Sequence, residues 1–214
     1  KQSMTDAALV TYMDIPDAME DEYNDWYTNE HVAERVDLAG FWSAFRYVAI
    51  DAQPKYLAWY ETRDLNALTD PTYKAILADQ SDWSKRIMGK FQNFGRMCGE
   101  RIARVGRGHG GVCLAVRVKG GPGLDPWLTD VLTAMADMPR AVGGSLWRAD
   151  VDATGDANVE GLRLLVLEAL DERTIREAAA THLLPNAFGS AGATEQPDIG
   201  FYRLISSMQK IPRD

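Results

Sequence analysis

The sequence predicts an α+β fold in which two tandem ferredoxin-like βαββαβ units pack together around a barrel-like cavity. Three observations support this prediction. Strand-like apolar runs and amphipathic helical runs alternate in the order of the split βαβ motif. That order occurs twice in the 214 residues, on either side of a glycine-rich linker at 106–111. Several short patterns also recur in both halves at a nearly constant spacing.

The first unit begins with a strand at 7–15, which ends before Pro16 because proline lacks the N–H that a strand ladder uses. An amphipathic helix is expected next. Met19, Tyr23 and Trp26 recur there at helical spacing, with acidic and amide side chains between them. The pattern therefore predicts a first β–α pair.

A hairpin and a second helical region complete the first unit. The runs 41–50 and 56–62 are rich in aromatic and aliphatic residues and are separated by a short proline-containing turn. Asp64 is suited to cap the helical region that follows, and the helix is expected to restart near Ser81. A closing strand is predicted at 96–105.

The second half repeats this order. Its matching features lie 101 to 107 residues further along the chain. The pairs are Ala7 with Val112, Arg46 and Asp51 with Arg148 and Asp152, Glu61-Thr-Arg-Asp64 with Glu168-Ala-Leu-Asp171, and Gly95 with Gly200. Four matches in one order favour an internal repeat. Residues 1–106 are therefore assigned to a first, site-bearing unit and residues 107–214 to a second, barrel-closing unit.

Composition and charge exclude several classes of function. The net charge of −8, with no basic patch, argues against nucleic-acid binding. The sequence contains no run of eighteen apolar residues, so no membrane span is predicted. Lys1–Thr11 lacks a signal-peptide pattern. Two isolated cysteines, Cys98 and Cys113, favour a reducing, cytoplasmic setting. No grouping of His, Cys, Asp and Glu side chains has a convincing zinc-ligand spacing, so no metal is predicted.

The densest set of reactive side chains lies at 22–35. His31 can exchange protons near neutral pH, and polar neighbours can set its tautomer and pKa. Its candidate partners are Tyr27, Asn24, Glu30 and Arg35. On an unbroken helix, however, His31 shares a polar face with three of these, which also fits a solvated surface. A helix break near Thr28-Asn29 would redirect His31.

Three segments resemble a known superfamily. They are Glu22-Tyr-Asn-Asp-Trp26-Tyr-Thr-Asn-Glu30-His31, the following Ala39-Gly40-Phe41, and the strand Tyr56-Leu-Ala-Trp-Tyr-Glu61. The resemblance is to the dimeric α/β barrel superfamily, and within it to EthD-like proteins, which are related to an ethyl tert-butyl ether degradation protein. It covers residues 7–105 and implies that His31 faces a cavity. It also implies that the two units pack as a dimeric-α/β-barrel-like unit.

The superfamily includes cofactor-free isomerases, cyclases and oxygenases as well as haem enzymes, so the resemblance does not select a reaction. Aromatic residues on the helix and the predicted strands could bind a planar apolar substrate, and core packing is the alternative role for each. These residues are Trp26, Trp42, Tyr47, Trp59 and Tyr60. The second unit has no counterpart of the polar cluster, so the site is expected to be asymmetric.

Three functions remain open at this stage. The first is a cofactor-independent lyase or isomerase that uses His31 as general acid/base on a small apolar or aromatic oxygenated compound. The second is a haem-binding oxidoreductase with His182 as axial ligand, for which a helix-end histidine is the plain alternative. The third is a non-catalytic protein that binds a small molecule. His109 is expected to be incidental, and a homodimer is left open.

Overall fold

The computed structural model describes residues 6–211 and has two consecutive βαββαβ units. The strands of the first unit are β1 (Ala7–Asp14), β2 (Phe41–Asp51), β3 (Tyr56–Thr62) and β4 (Gln92–Gly106). Its helices are α1 (Glu20–Trp26), α2 (Val32–Val36), α3 (Leu65–Thr69), α4 (Pro71–Ala78) and α5 (Asp82–Met88). A 3-10 turn precedes α1, and five residues in π geometry, the π turn (Tyr27–His31), join α1 to α2.

The second unit repeats this order after the linker. Its strands are β5 (Val112–Lys119), β6 (Ala141–Ala149), β7 (Leu162–Ala169) and β8 (Asp198–Gln209). Its helices are α6 (Leu124–Ala136), α7 (Val151–Thr154), α8 (Glu172–His182) and α9 (Pro185–Ser190). The predicted boundary at residue 106 coincides with the end of β4. The outer ends of the two assigned units, 1–5 and 212–214, lie outside the described residues.

The strands close into one antiparallel barrel in the order β1-β3-β2-β8-β5-β7-β6-β4. Each unit supplies four neighbouring strands, and the units join through the pairs β2–β8 and β4–β6. Closure leaves no strand edge unpaired, which removes the edges that would otherwise template aggregation. The ferredoxin-like expectation is therefore confirmed, with both units in one continuous sheet.

Strand residues alternate between the inside of the barrel and its helix-covered outside. On β1, Val10 and Tyr12 belong to the packed interior, whereas Leu9 and Met13 pack towards the helices of the first unit. The interior also holds Phe45, Tyr47, Trp59, Trp147 and Tyr202. The predicted shared cavity is thus corrected, because an eight-stranded barrel is narrow enough for side chains to fill it.

The closing strand of the first unit begins earlier than the sequence predicts. In the structure β4 begins at Gln92 instead of Arg96. Gly95 therefore lies inside β4, where it pairs with Tyr12 of β1. A Cβ at Gly95 would lie 2.5 Å from the Tyr12 ring. The glycine is therefore required for close packing across the strand pair and does not mark a strand end.

The predicted cap at Asp64 and the predicted helix restart near Ser81 are both confirmed. The Asp64 carboxylate accepts a hydrogen bond from the Ala67 N–H at the start of α3, and the Ser81 hydroxyl accepts one from the Ser84 N–H at the start of α5. Asp171, the repeat counterpart of Asp64, caps α8 in the same way. Within residues 6–211, no helix is long and apolar enough to cross a lipid bilayer.

Candidate functional site

The first helix of the chain carries the site, and its geometry depends on the π turn. Residues 27–31 keep right-handed helical dihedral angles, and the Val32 N–H donates to the Tyr27 carbonyl, an i to i−5 hydrogen bond. Such a turn accommodates an extra residue and shifts the faces that follow it. The expected break near Thr28-Asn29 is therefore a π turn inside a continuing helix. Trp26, Tyr27 and His31 are all buried as a result.

A small cavity of about 50 Å³ lies between this helix and the outer face of the first unit's sheet. One side is formed by the outward residues of β1 and β3, and the other by the π turn, α2, α4 and α5. Its lining comprises Leu9, Thr11, Met13, Tyr27, His31, Arg35, Tyr60, Tyr73, Leu77, Met88, Phe91, Phe94 and Arg96. Three of the predicted catalytic residues, His31, Tyr27 and Arg35, therefore meet at one cavity.

His31 is a neutral imidazole in this environment. The side chain is 6% exposed, and its Nδ1 is buried without a hydrogen-bond partner among the described residues. Burial lowers the pKa of His31 well below its usual 6.5, and the positive charges of Arg35 and Arg46 lower it further. The neutral ring can accept a proton at pH 7, which is the state that a general base requires.

Arg35 brings a positive charge to the cavity with little compensation. Its side chain is 2% exposed, and its guanidinium donates to the His31 carbonyl at 3.1 Å. The nearest carboxylate is that of Glu34, 3.8 Å away and 40% exposed. Because a buried guanidinium is costly without an anion, this position favours an oxygen that carries negative charge.

Arg96 adds a second cation to the cavity wall. Its guanidinium donates to the Thr154 carbonyl at 2.8 Å, at the end of α7, so the second unit helps to hold it in place. Of the residues described as lining the cavity, none is acidic. The cavity therefore combines apolar walls with a positive potential.

Two tyrosines contribute hydroxyl groups. The Tyr60 hydroxyl is buried without a hydrogen-bond partner among residues 6–211, and burial raises its pKa well above 10. It therefore stays protonated and available as a donor. The Tyr27 hydroxyl lies 3.4 Å from the Thr11 hydroxyl. The rings of Tyr27 and His31 meet edge to face at 4.9 Å, which fixes the imidazole plane.

Two other predicted catalytic residues lie away from the cavity. Asn24 accepts a hydrogen bond from Arg46 and donates to the Tyr56 hydroxyl, on the opposite side of the helix. Glu30 accepts hydrogen bonds from the hydroxyls of Ser81 and Ser84 at the start of α5. The structure therefore does not bring these two residues to His31. Asn24 lies in α1, before the π turn, and faces Arg46, whereas Glu30 lies within the turn and faces α5.

The five aromatic candidates separate in the same way. Tyr60 alone lines the cavity. Trp26 is fully buried, its ring lies 4.3 Å from that of His31, and its indole N–H donates to Ser84. Tyr47 and Trp59 stack inside the barrel at 4.6 Å. Trp42 is half-buried and is not part of the lining. Alternation along each strand explains this division.

At the corresponding position of the second unit, leucine, valine and phenylalanine side chains pack between its sheet and helices. His182 is the last residue of α8, is half-buried, and lines none of the cavities described here. His182 as an axial haem ligand stays a prediction. Within residues 6–211, no cluster of three or more His, Cys, Asp or Glu side chains is placed to hold a metal ion.

His109, expected to be incidental, has a defined structural role. Its Nδ1 lies 3.0 Å from the Glu168 carboxylate, which is 1% exposed, and its ring packs on Phe45 at 4.2 Å. The Tyr47 hydroxyl donates to the same carboxylate at 3.3 Å. The hydrogen bond to Glu168 raises the pKa of His109. A glycine-rich neighbourhood gave no sign of this contact, which joins residues 59 apart in sequence.

The sequence reasoning also missed part of the cavity lining. Thr11 and Met13 alternate with inward residues on β1, and Arg96 and Phe94 lie at the start of β4. The alternation of β1 could have identified the first two. The last two could not be predicted, because β4 was expected to begin at residue 96.

Comparisons with known proteins support the fold. No protein-family model and no curated protein match the sequence. Solved structures do match over nearly the whole chain. An anthrone oxidase-like protein aligns with a TM-score of 0.64 and 12% identity, covering 95% of this chain and 92% of that one. A "putative monooxygenase" from Lactobacillus acidophilus aligns with a TM-score of 0.61 and 9% identity, covering 96% and 97%.

A third match, a "putative chlorite dismutase", has a TM-score of 0.55 and 10% identity, and 94% of each chain is covered. Identities this low establish the fold alone. Together with the closed barrel, they show that the chain shares the fold of these proteins, in which two ferredoxin-like units form one continuous antiparallel barrel.

Proposed function

We propose that this protein is an enzyme that removes a proton from a small, largely apolar or aromatic oxygenated compound, with His31 as general base and without a cofactor. The observation that carries the proposal is the meeting of two unpartnered buried polar atoms, His31 Nδ1 and the Tyr60 hydroxyl, at one cavity that Arg35 also lines. Buried polar groups are rarely left unpaired, so such atoms point to a ligand.

The proposed step breaks a C–H bond next to a carbonyl group of the substrate. The proton goes to the imidazole of His31, and the electron pair of the bond moves into the carbonyl to form an enolate. Arg35 and the Tyr60 hydroxyl are suited to donate hydrogen bonds to the enolate oxygen. The negative charge on that oxygen also offsets the repulsion between Arg35 and the newly charged imidazolium.

The fate of the enolate defines the reaction class. Return of the proton from His31 to a different carbon gives an isomerase, and loss of a group adjacent to the carbanion gives a lyase. Reaction with dioxygen would give an oxygenase, and two of the structural neighbours carry oxygenase or oxidase names. We favour the first two outcomes, because proton transfer is the chemistry that His31, Tyr60 and Arg35 supply by themselves.

The cavity walls define the class of substrate. Most lining side chains are apolar or aromatic, and they would contact a hydrocarbon ring. At about 50 Å³ the closed cavity holds only a few water molecules. A ring compound therefore enters only if the wall formed by Leu77, Phe91 and Phe94 moves outwards. Phe94 is 49% exposed and Leu77 38%, so this wall faces solvent.

Solvent proton exchange tests the proposal without knowledge of the natural substrate. Enolisable ring ketones of increasing size, namely 2-indanone, 2-tetralone and anthrone, are incubated with the protein in D₂O. NMR follows the loss of the exchangeable methylene protons, which are α to the carbonyl in the first two ketones and at C10, in conjugation with the carbonyl, in anthrone. Exchange should be faster with the wild-type protein than in buffer, and His31→Gln should reduce the enhancement by about 100-fold or more. Anthrone is included because of the anthrone oxidase-like neighbour.

Two further variants separate catalysis from folding. Tyr60→Phe removes a hydroxyl that has no partner in the fold, so it should slow exchange without lowering the free energy of unfolding. His182→Gln should leave exchange unchanged. Equal exchange by wild-type protein and His31→Gln would overturn the assignment of His31. Saturable binding of all three ketones with no exchange would favour a non-catalytic binder, and oxygen uptake during the assay would favour an oxygenase.

A further inference from the structure

A second recess lies on the other side of the first helix, where the two units join at the β2–β8 pair. This groove has a volume of about 440 Å³. Its lining is Glu20, Asn24, Thr28, Arg46, Val48, Lys55, Tyr56, Arg203, Ile205 and Ser206. The last three residues belong to β8, so both units contribute to the groove. Recesses at such junctions are common ligand sites.

Arg46 lines the groove and is a buried cation that forms no ion pair with a carboxylate among residues 6–211. Its side chain is 4% exposed, and its guanidinium donates to the Asn24 side-chain oxygen at 2.9 Å. The guanidinium also packs against three tyrosines, with the ring centroids of Tyr27, Tyr23 and Tyr56 at 4.1, 5.4 and 5.9 Å. These neutral neighbours leave the charge uncompensated, which is costly unless an anion binds.

Besides Arg46, the groove is lined by two positively charged side chains and one carboxylate. Lys55 and Arg203 also line it, and in the part of the chain that the structure describes Arg203 is exposed and forms no ion pair. The carboxylate of Glu20 is the acidic group of the lining, and it pairs with Lys55 at 2.5 Å and accepts a hydrogen bond from Tyr56. Arg46 and Arg203 therefore remain available to an incoming anion in an otherwise acidic protein.

We propose that this groove is a binding site for a small oxyanion, a carboxylate or a phosphate monoester, held by Arg46 and Arg203. Arginine guanidinium groups recognise both head groups through paired hydrogen bonds. Val48, Tyr56 and Ile205 form an apolar wall beside the two arginines, so the ligand carries an apolar or aromatic group next to its charge. The site is distinct from the His31 cavity, because Tyr23 and Tyr27 separate the two.

Binding of three probes to the full chain tests this site. Benzoate and phenyl phosphate present the two anionic head groups, and benzamide is the neutral match of benzoate. Calorimetric titration should show saturable binding of at least one anion and weaker binding of benzamide. Backbone amide signals of residues 46–48 and 203–206 should shift on binding. The anion that binds with the higher affinity shows whether the site prefers a carboxylate or a phosphate head group.

Variants then locate the binding. Arg203→Gln, at an exposed position, should weaken anion binding by about tenfold or more, since a charge-assisted hydrogen bond is lost. Arg46→Gln should weaken it further if that variant folds. The control is Arg173→Gln, an exposed arginine on α8, which should bind as the wild type does. Undiminished binding by Arg203→Gln, equal binding of benzamide, or no saturable binding of either anion would overturn the proposal.

Discussion

At the scale of single residues, the site is distinguished by two residues with an unpartnered buried polar atom that line the same cavity; other such atoms, among them the Tyr12 hydroxyl, belong to residues outside it. His31, Tyr60 and Arg35 are polar side chains placed in an apolar wall, and the first two have an atom with no hydrogen bond among the described residues. In a protein core each such atom reduces stability by about 1–3 kcal/mol. Their persistence at one cavity is consistent with a role in binding and proton transfer.

The buried state of His31 makes stability depend on pH. Burial, Arg35 and Arg46 hold the pKa of His31 well below 6.5 in the folded protein. The unfolded chain therefore takes up a proton at this residue near pH 6.5, while the folded protein does not. Protons then favour unfolding, so the free energy of unfolding should fall with decreasing pH below 6.5. The contribution is at most about 1.4 kcal/mol per pH unit.

Urea unfolding of wild-type protein and His31→Gln between about pH 7.5 and about pH 5 measures this effect. The difference between the two proteins isolates His31, because His109 is present in both and its raised pKa contributes with the opposite sign. The stability of the variant should fall less steeply as pH decreases. Parallel curves would show that His31 is not a buried neutral histidine.

At the scale of elements, the π turn decides which side chains reach the cavity. An ideal helix rotates by about 100° per residue, so the extra residue in the turn changes every orientation that follows it. Across the turn, Tyr27, His31 and Arg35 face one cavity, whereas Asn24, which precedes the turn and would share their face on a regular helix, contacts Arg46 instead. Helical periodicity places Tyr27, His31 and Arg35 on one face. From the sequence alone, that face is either exposed to solvent or redirected by a break in the helix.

Deletion of Asn29 tests the role of the π turn. This residue is exposed, and its loss should convert the turn into regular α-helix and rotate His31 relative to Trp26. The protein should still fold, as judged by circular dichroism, with a lower melting temperature and without the proton-exchange activity. Asn29→Ala keeps the turn and should behave as the wild type in exchange. Full activity in the deletion variant would contradict a role for the turn.

At the scale of the whole molecule, the two units form one closed barrel and their linker is part of its structure. His109 in the linker, Tyr47 on β2 and Glu168 on β7 are joined by hydrogen bonds, so the linker connects strands of both units. The Arg104 guanidinium lies 4.0 Å from the same carboxylate. Removing His109 leaves a buried carboxylate with fewer partners, which is unfavourable.

His109→Ala should therefore lower the free energy of unfolding by about 1–3 kcal/mol. The hydrogen bond to Glu168 raises the pKa of His109, so this stabilisation is complete below pH 6.5 and is lost as the pH rises through the raised pKa. The decrease in the free energy of unfolding caused by His109→Ala should be larger at pH 6 than at high pH. Chemical denaturation at both pH values measures it, with His182→Ala as a matched histidine control. Equal stability of His109→Ala and wild type would show that the linker contact is incidental.

The order of elements and the repeat were determined by the sequence, because strand and helix periodicity and capping residues such as Asp64 and Ser81 act locally. His31 was identified for the same reason, since its polar neighbours lie within one turn or two of it. The tertiary structure decided the rest. Closure of the barrel, the location of the cavity outside it, and the groove between the units all depend on contacts between residues far apart in sequence. The contact of His109 with Glu168 and the position of Arg96 at the cavity also depend on the tertiary structure. Local sequence patterns do not indicate which distant side chains will pack together.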